Sequence, residues 1–293
     1  MIKGLDIGYS HTKDNDGRIF KSAFSHEDCS VTGSRMILID DKQYYVGNGV
    51  QTSDADKSDS EINKVCTLYD MYLSGANDFK LCVGLPIAQY KTQRNKLKET
   101  ILSYNNSKIY VNGSQYKFKI NDVFVTMQGI ASLFTIGKLL GEYIIIDIGG
   151  LTIDVSLVEF NDTTSRIIQS DTWYKGVRTL YSDIIGRINN KFSLKLDNSY
   201  GEKVIRSGFI RIDGKEESMD FLKPYLQSYI DEITEEIKLK YPYQTANIYL
   251  TGGGAIPMSN SFINRFHQTK LIANPQFSNA IGYYLIGCHK FKQ

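Results

Sequence analysis

Two short stretches hold residues placed to do chemistry: Asp6-Ile-Gly8 near the start and Asp147-Ile-Gly-Gly150 at the middle of the chain. In each, an aspartate ends a β-branched, apolar run and small residues follow. Around the second, Tyr143-Ile-Ile-Ile-Asp-Ile-Gly-Gly-Leu-Thr-Ile-Asp-Val-Ser-Leu-Val158 reads as two strands joined by a turn with nothing bulky in it. Gly149 and Gly150 have no Cβ and can take φ > 0, so the N–H groups of the turn can reach an anion while Asp147 holds a hydrated cation beside it. Met1 to Lys13 repeats the plan of strand, Asp6-Ile7-Gly8 and small polar turn. One copy alone would read equally as an ordinary glycine hairpin. Two copies in two half-molecules predict a nucleotide clamped from both sides.

The elements that must hold these turns alternate strand and helix. Met36 to Val46 reads as a hairpin turning at Asp40-Asp41, residues 51–60 as an exposed acidic loop, and 61–73 as a helix. A buried strand follows from Phe79 to Gly84-Leu85-Pro86, then a helix over 89–104, a hairpin at Asn112-Gly113, and a strand 123–129 running into a helix over 130–140. The second half continues with a strand 166–173, a helix from Gly176-Val177 through Phe192, a short helix ended by Gly208 and a short strand 209–213. A long amphipathic helix over 219–239 stops before Pro242, Ile248 to Gly254 is a third strand-to-glycine turn, and helices are expected over 259–266 and 277–290. Each half opens with hairpins and goes on with strand–helix alternation, the pattern of an α/β protein with a duplicated core.

With 293 residues there is material for about two domains. A net charge of +2 supplies no field for nucleic acid or an anionic membrane. No apolar run approaches the roughly 18 residues that span a bilayer, and a strand begins within the first residues, so the expected compartment is the cytoplasm. Cys29, Cys66, Cys82 and Cys288 form no Cys-x-x-Cys pair and the four histidines no cluster, which excludes a zinc site by spacing and suggests free thiols. The 20 tyrosines and Trp173 read mainly as packing.

The order Asp6-Ile-Gly, Gln128 before a helix, Asp147-Ile-Gly-Gly-Leu-Thr-Ile-Asp154 and Thr251-Gly-Gly-Gly254 resembles the phosphate-1, connecting, phosphate-2 and adenosine motifs of the actin, heat-shock chaperone and sugar-kinase superfamily. Val83-Gly-Leu-Pro86 and the tail Ala273-Asn-Pro-Gln-Phe-Ser-Asn-Ala-Ile-Gly-Tyr-Tyr-Leu-Ile-Gly287 are similar to those of ParM-like bacterial actins, which segregate plasmids. The resemblance implies an α/β, actin-like ATPase fold: two duplicated βββαβα-type, ribonuclease H-like domains around a central nucleotide cleft. Domain I would take residues 1–141 plus 275–293, with a small subdomain at about 33–75. Domain II would take 142–274, with a small subdomain at about 190–240. The hinge would be made of the helix expected over 130–140 and the tail helix.

It implies roles as well. Asp6 and Asp147 would hold Mg²⁺ through its waters, because that ion dehydrates reluctantly. Gly8, Tyr9, Ser10, Thr12 and Lys13 on one side, and Gly149, Gly150, Leu151 and Thr152 on the other, would supply N–H groups, hydroxyls and an ammonium to the phosphates of ATP or GTP. Lys13 reads alternatively as a solvated turn lysine. Gln128 would orient the attacking water, which suits slow turnover since an amide is no strong base, or would merely cap the following helix. Asp154 would help polarise that water or belong only to its hairpin. Gly252, Gly253 and Gly254 would lie against base and ribose, with Glu202 and Lys203 gripping them from a helix.

Three functions follow from the resemblance. The first is a filament-forming ATPase that polymerises head to tail with itself and drives plasmid segregation through a DNA-binding adaptor, without binding nucleic acid or membrane itself. The second is a small-molecule, sugar-type kinase, against which stands the lack of a substrate base near Gln128, Asp122 lying on the wrong side of its strand. The third is a nucleotide-binding regulator that never polymerises. A chaperone would need a further peptide-binding domain.

Overall fold

The computed structural model describes residues 1–28, 36–51 and 57–292. Cys29 and residues 52–56 of the expected acidic loop lie outside them; of the rest of that loop, Lys57–Asp59 forms a 3-10 turn in which Ser58 is buried.

Two five-stranded sheets carry the chain, and they share one plan. In the first, Ile2–Ile7, His11–Asp14 and Ile19–Lys21 form an antiparallel meander, and Asp78–Leu85 and then Lys119–Met127 add in parallel on the other side of Ile2–Ile7. In the second, Gly141–Ile148, Ile153–Phe160 and Ser165–Trp173 are the meander, and Asn247–Thr251 and Thr269–Leu271 the parallel additions. The duplication expected from the hairpins is thus a duplication of whole sheets, within a two-part α/β architecture.

Each sheet has a core on one face, with helices Glu61–Ser74 and Ile87–Ser103 on the first and Val177–Phe192, Lys223–Lys240 and Ala255–Arg265 on the second. On their other faces lie the segment after Gly129 and the tail helix Ser278–Phe291. Strand Gly141–Ile148 is therefore covered on both sides, which is why its sequence is a continuous apolar run instead of an alternating one. A six-stranded antiparallel sheet, made of four short strands between Ala23 and Gln51 and the two of the hairpin Ile109–Val111 and Ser114–Tyr116, sits on the first half. Asp40-Asp41 and Asn112-Gly113 turn with all four residues at positive φ (49°, 65°, 51° and 78°), as primed hairpin turns demand.

Short strands at Ile19–Lys21, Ala23–Ser25 and Thr269–Leu271 lie outside the sequence expectation, and two further elements differ from it. The helix expected over 130–140 is one α-turn, Ile130–Leu133, continued by a 3-10 turn, Phe134–Ile136, because Gly137 takes φ 102° and stops it. The strand at 209–213 has a partner: Phe209–Ile212 and Lys215–Ser218 make a hairpin over Asp213-Gly214. Among the described residues no helix is long and apolar enough to cross a membrane.

Candidate functional site

Side-chain alternation decides which way the two aspartates face. Along Gly141–Ile148, Ile144, Ile146 and Ile148 enter one core and Tyr143 and Ile145 the opposite one. Asp147 shares the side of Tyr143 and Ile145. Along Ile2–Ile7, Leu5 enters the core under the first pair of helices, whereas Gly4 faces the tail helix, where a Cβ would fall 2.1 Å from the carbonyl of Ala280. Asp6 shares the side of Gly4. Both carboxylates therefore look into the layer between the two sheets.

Register gives the two hairpins the same layout. Asp6 lies opposite Lys13 and Asp147 opposite Asp154. Each turn is closed by the same bond: the N–H of Gly8 donates to the carbonyl of His11 (3.1 Å) and that of Gly149 to Thr152 (2.9 Å). The tips meet, since a Cβ on Gly150 would stand 2.1 Å from Ser10 Oγ. That close approach, and no unusual φ, is what requires glycine there; neither Gly149 nor Gly150 is among the glycines at positive φ. Gly252, at φ 85°, leaves its Cβ space to Asp147, whose Oδ1 would be 2.4 Å away. Gly254 lies against Ile148 and Val177, and Gly253 faces Gln276.

The polar groups then connect. Asp6 Oδ2 accepts from Lys13 Nζ and Oδ1 from Gln128 Nε2, both at 3.1 Å. Asp147 Oδ2 accepts from Asn279 Nδ2 (2.7 Å), and Asn279 Oδ1 accepts the N–H of Gly129 (2.9 Å). Asp154 accepts from the hydroxyls of Thr152 (3.1 Å) and Thr172 (2.5 Å). Asp6, Gln128, Asp147 and Asp154 are all buried. Burial pushes the Asp147 carboxyl up to about 7; the Asn279 hydrogen bond opposes this, and the charges of Asp154 and Asp6 add to it.

Three buried carboxylates thus face one ammonium, an excess of negative charge that suits a cation. Among the described residues no group of three ligating side chains is arranged to bind a metal directly. A divalent ion that keeps its waters, as Mg²⁺ does, fits such a set. Beside it, the N–H groups of Gly150 and Leu151 enter no hydrogen bond among the described residues, and the N–H groups of Gly176, Val177 and Arg178, which open the next helix, fasten onto the carbonyls of Leu151, Gly149 and Gly150. Free N–H groups on a turn beside a helix N-terminus suit a polyphosphate.

Residues 4–130 match the family model for the N-terminal domain of actin-like proteins, and residues 145–264 match that for the C-terminal part of archaeal MreB-like actin homologues. The chain belongs to the actin-like proteins. Solved structures with the same fold include the archaeal actin homologue Ta0583 (TM-score 0.82, 20% identity, 99% of each chain covered). A 15-stranded ParM filament from Clostridium botulinum gives TM-score 0.78 at 23% identity, over 98% of this chain and 99% of that one. Ta0583 has also been solved in complex with ADP, at TM-score 0.80 and 19% identity over 99% of each chain. Comparison with curated proteins finds none that matches the sequence.

In this actin-like protein several of the expected site residues converge, whereas Thr12, Glu202 and Lys203 do not. Thr12 pairs with Ile7, not Asp6, so it faces the core: it is fully buried and its hydroxyl bonds Ser22 Oγ at 2.9 Å, which corrects the expectation of a phosphate contact from that hydroxyl. Tyr9 is buried, its hydroxyl accepting from Gln89 Nε2 at 3.4 Å. The Thr152 hydroxyl spends its proton on Asp154. Glu202 and Lys203 are exposed on helix Tyr200–Ser207, Glu202 lying 3.8 Å from Arg206, and among the described residues no hydrogen bond or ion pair joins them to the Asp6–Asp147 centre. Sequence reading passed over Asn279. Its only local signal is an amide in an otherwise apolar stretch of the tail helix, whereas its partners lie 150 and 132 residues away.

Proposed function

We propose that this protein binds ATP, or GTP, with Mg²⁺ between its two aspartate-led hairpins, hydrolyses it slowly and polymerises head to tail. The observation that carries this reading is the meeting of the two turns, with Asp6 and Asp147 facing one layer and Ser10 against Gly150. Bound Mg²⁺ would supply positive charge to the polyphosphate. The chain's own residues do the rest. Asp6 and Asp147 receive the ion's waters, Lys13 and the N–H groups of Gly150 and Leu151 hold phosphate oxygens, and Gln128, tied to Asp6, orients a water without removing its proton. That economy of chemistry suits a slow timer for disassembly better than a metabolic catalyst.

Domain I as residues 1–141 plus 275–293 and domain II as 142–274 remain our division, with the segment after Gly129 and the tail helix as hinge. Gly282 supports this hinge: with no Cβ it lets the tail helix lie on the backbone of Ala131, a Cβ there falling 2.0 Å from that carbonyl. The likeness to ParM filaments supports a cytoplasmic cytoskeletal role and plasmid segregation through a DNA-binding adaptor. A sugar-type kinase needs a carboxylate base for its substrate, and the candidate near Gln128 on that strand, Asp122, is exposed and paired with Lys98 at 2.9 Å.

Electron microscopy and pelleting of the purified protein with ATP, with GTP and with neither, each with Mg²⁺, test the proposal. Filaments with one triphosphate and none without nucleotide are expected. Nucleotide binding with no assembly at high concentration would leave the non-polymerising regulator, and ADP formation that appears only with an added sugar, the phosphoryl group passing to the sugar hydroxyl, would leave the kinase.

A further inference from the structure

The tail helix carries two adjacent tyrosines, and the first is fully buried. The ring of Tyr283 packs with Cys82 and Ala131. Its hydroxyl occupies the space over Gly84, where a Cβ would be 1.9 Å from Oη. Gly84 lies opposite Thr126, two residues before Gln128, and directly follows Val83, the partner of Leu5. The hydroxyl is therefore let down onto the sheet between the strand that ends in Asp6 and the strand that leads to Gln128.

This hydroxyl has no hydrogen-bond partner among the described residues. Burial, then the charges of Asp6 and Asp147, hold the phenol well above its usual range, so it stays neutral and keeps its proton. A phenylalanine would fill the same space without the cost of an unmet buried hydroxyl, and a glycine in the middle of a sheet is itself unfavourable. Both costs bring one O–H donor to a place whose charged neighbours are carboxylates. Asp6 has capacity to spare: each of its oxygens accepts one bond, from Gln128 or from Lys13, and each has two lone pairs.

We propose that the Tyr283 hydroxyl is a positioning group of the hydrolytic centre, which donates to Asp6 in the nucleotide-bound protein and so holds Gln128 and Lys13 in register. The inference rests on the reading of the site as a nucleotide hydrolase. Tyr283→Phe keeps the ring and removes only the donor. At matched filament mass, the variant is expected to release phosphate about tenfold more slowly at saturating ATP, the worth of one hydrogen bond to a carboxylate. Its affinity for a non-hydrolysable ATP analogue by calorimetry should fall by no more than the rate does, and its melting temperature without nucleotide should be no lower than that of the unaltered protein, since an unmet buried hydroxyl is removed. An equal rate in the two proteins overturns the inference and leaves the hydrolase reading standing. Loss of rate, affinity and melting temperature together also overturns it, since that is what a packing role gives. An unaltered protein that binds no analogue removes both readings. Should the phenylalanine variant not fold, Tyr283→Met, also without a hydroxyl, is judged by the same three measurements.

Discussion

At the scale of single residues, Asn279 ties one half of the site to the other. Its amide donates to Asp147 and accepts from Gly129, so Asn279→Ala leaves a buried N–H without an acceptor and Asp147 without its orienting donor. The expected cost is about 1–3 kcal/mol of stability, read as a lower urea midpoint at unchanged slope, together with weaker binding of Mg-ATP. The two residues nearest the chemistry should separate binding from turnover. Asp147→Ala is expected to abolish nucleotide binding in calorimetry. Gln128→Ala should bind and assemble yet release phosphate more slowly, and full turnover in that variant would remove the water-orienting role. Asp6, Gln128 and Asp147 were legible in the sequence because each ends a strand at a glycine, a local signal. Asn279 and Tyr283 were not, because their roles depend on which strand ends lie beneath the tail helix, and only the folded sheets decide that.

At the scale of elements, the parallel register of the two hairpins makes their electrostatic difference plain. The residue seven positions after the aspartate is lysine in one and aspartate in the other, so one turn is neutralised within itself and the other is not. Glycine turns, primed hairpins and the helix Val177–Phe192 could be read from sequence, since each is set by residues within a few positions of one another. The hairpin strand Lys215–Ser218 could not: Lys-Glu-Glu-Ser has no apolar alternation to reveal it. Nor could the fate of Lys3, which lies wholly buried between the first sheet and helix Glu61–Ser74, 2.5 Å from Asp14 and 3.2 Å from Asp70. Burial pushes Asp70 up to about 7 against the pull of Lys3, with Asp14 adding to the rise. A carboxyl whose folded value is raised stabilises the fold fully below its unfolded value near 4, and this contribution fades as pH climbs to about 7. Asp70→Asn leaves Lys3 paired with Asp14 and Asp16 and removes the titration. Across that window the unaltered protein should lose stability relative to the variant, by at most about 1.4 kcal/mol per pH unit, in urea unfolding at stepped pH.

At the scale of the whole molecule, the two halves share a site but not a core. Each sheet has its own apolar cluster, and what joins them is a thin layer built from the tail helix, the turn after Gly129 and the facing hairpins. That layer holds the buried carboxylates, whose mutual repulsion a cation placed between them would relieve. A ligand that binds only the folded, closed arrangement adds about 2.7 kcal/mol when present at about a hundred times its dissociation constant. For domains of this size each kcal/mol is worth about 2–4 °C, so saturating ATP with Mg²⁺ should raise the melting temperature by roughly 5–10 °C. The two components should act together. ATP with a chelator leaves the carboxylates facing the phosphates with no cation between them, and Mg²⁺ alone leaves the N–H groups of Gly150 and Leu151 without an anion, so either alone should shift the transition far less than the pair. Scanning calorimetry of the protein with ATP, Mg²⁺, both and neither reads this directly; equal, additive shifts would mean that nucleotide and ion bind at separate places and that the two hairpins do not form a common site.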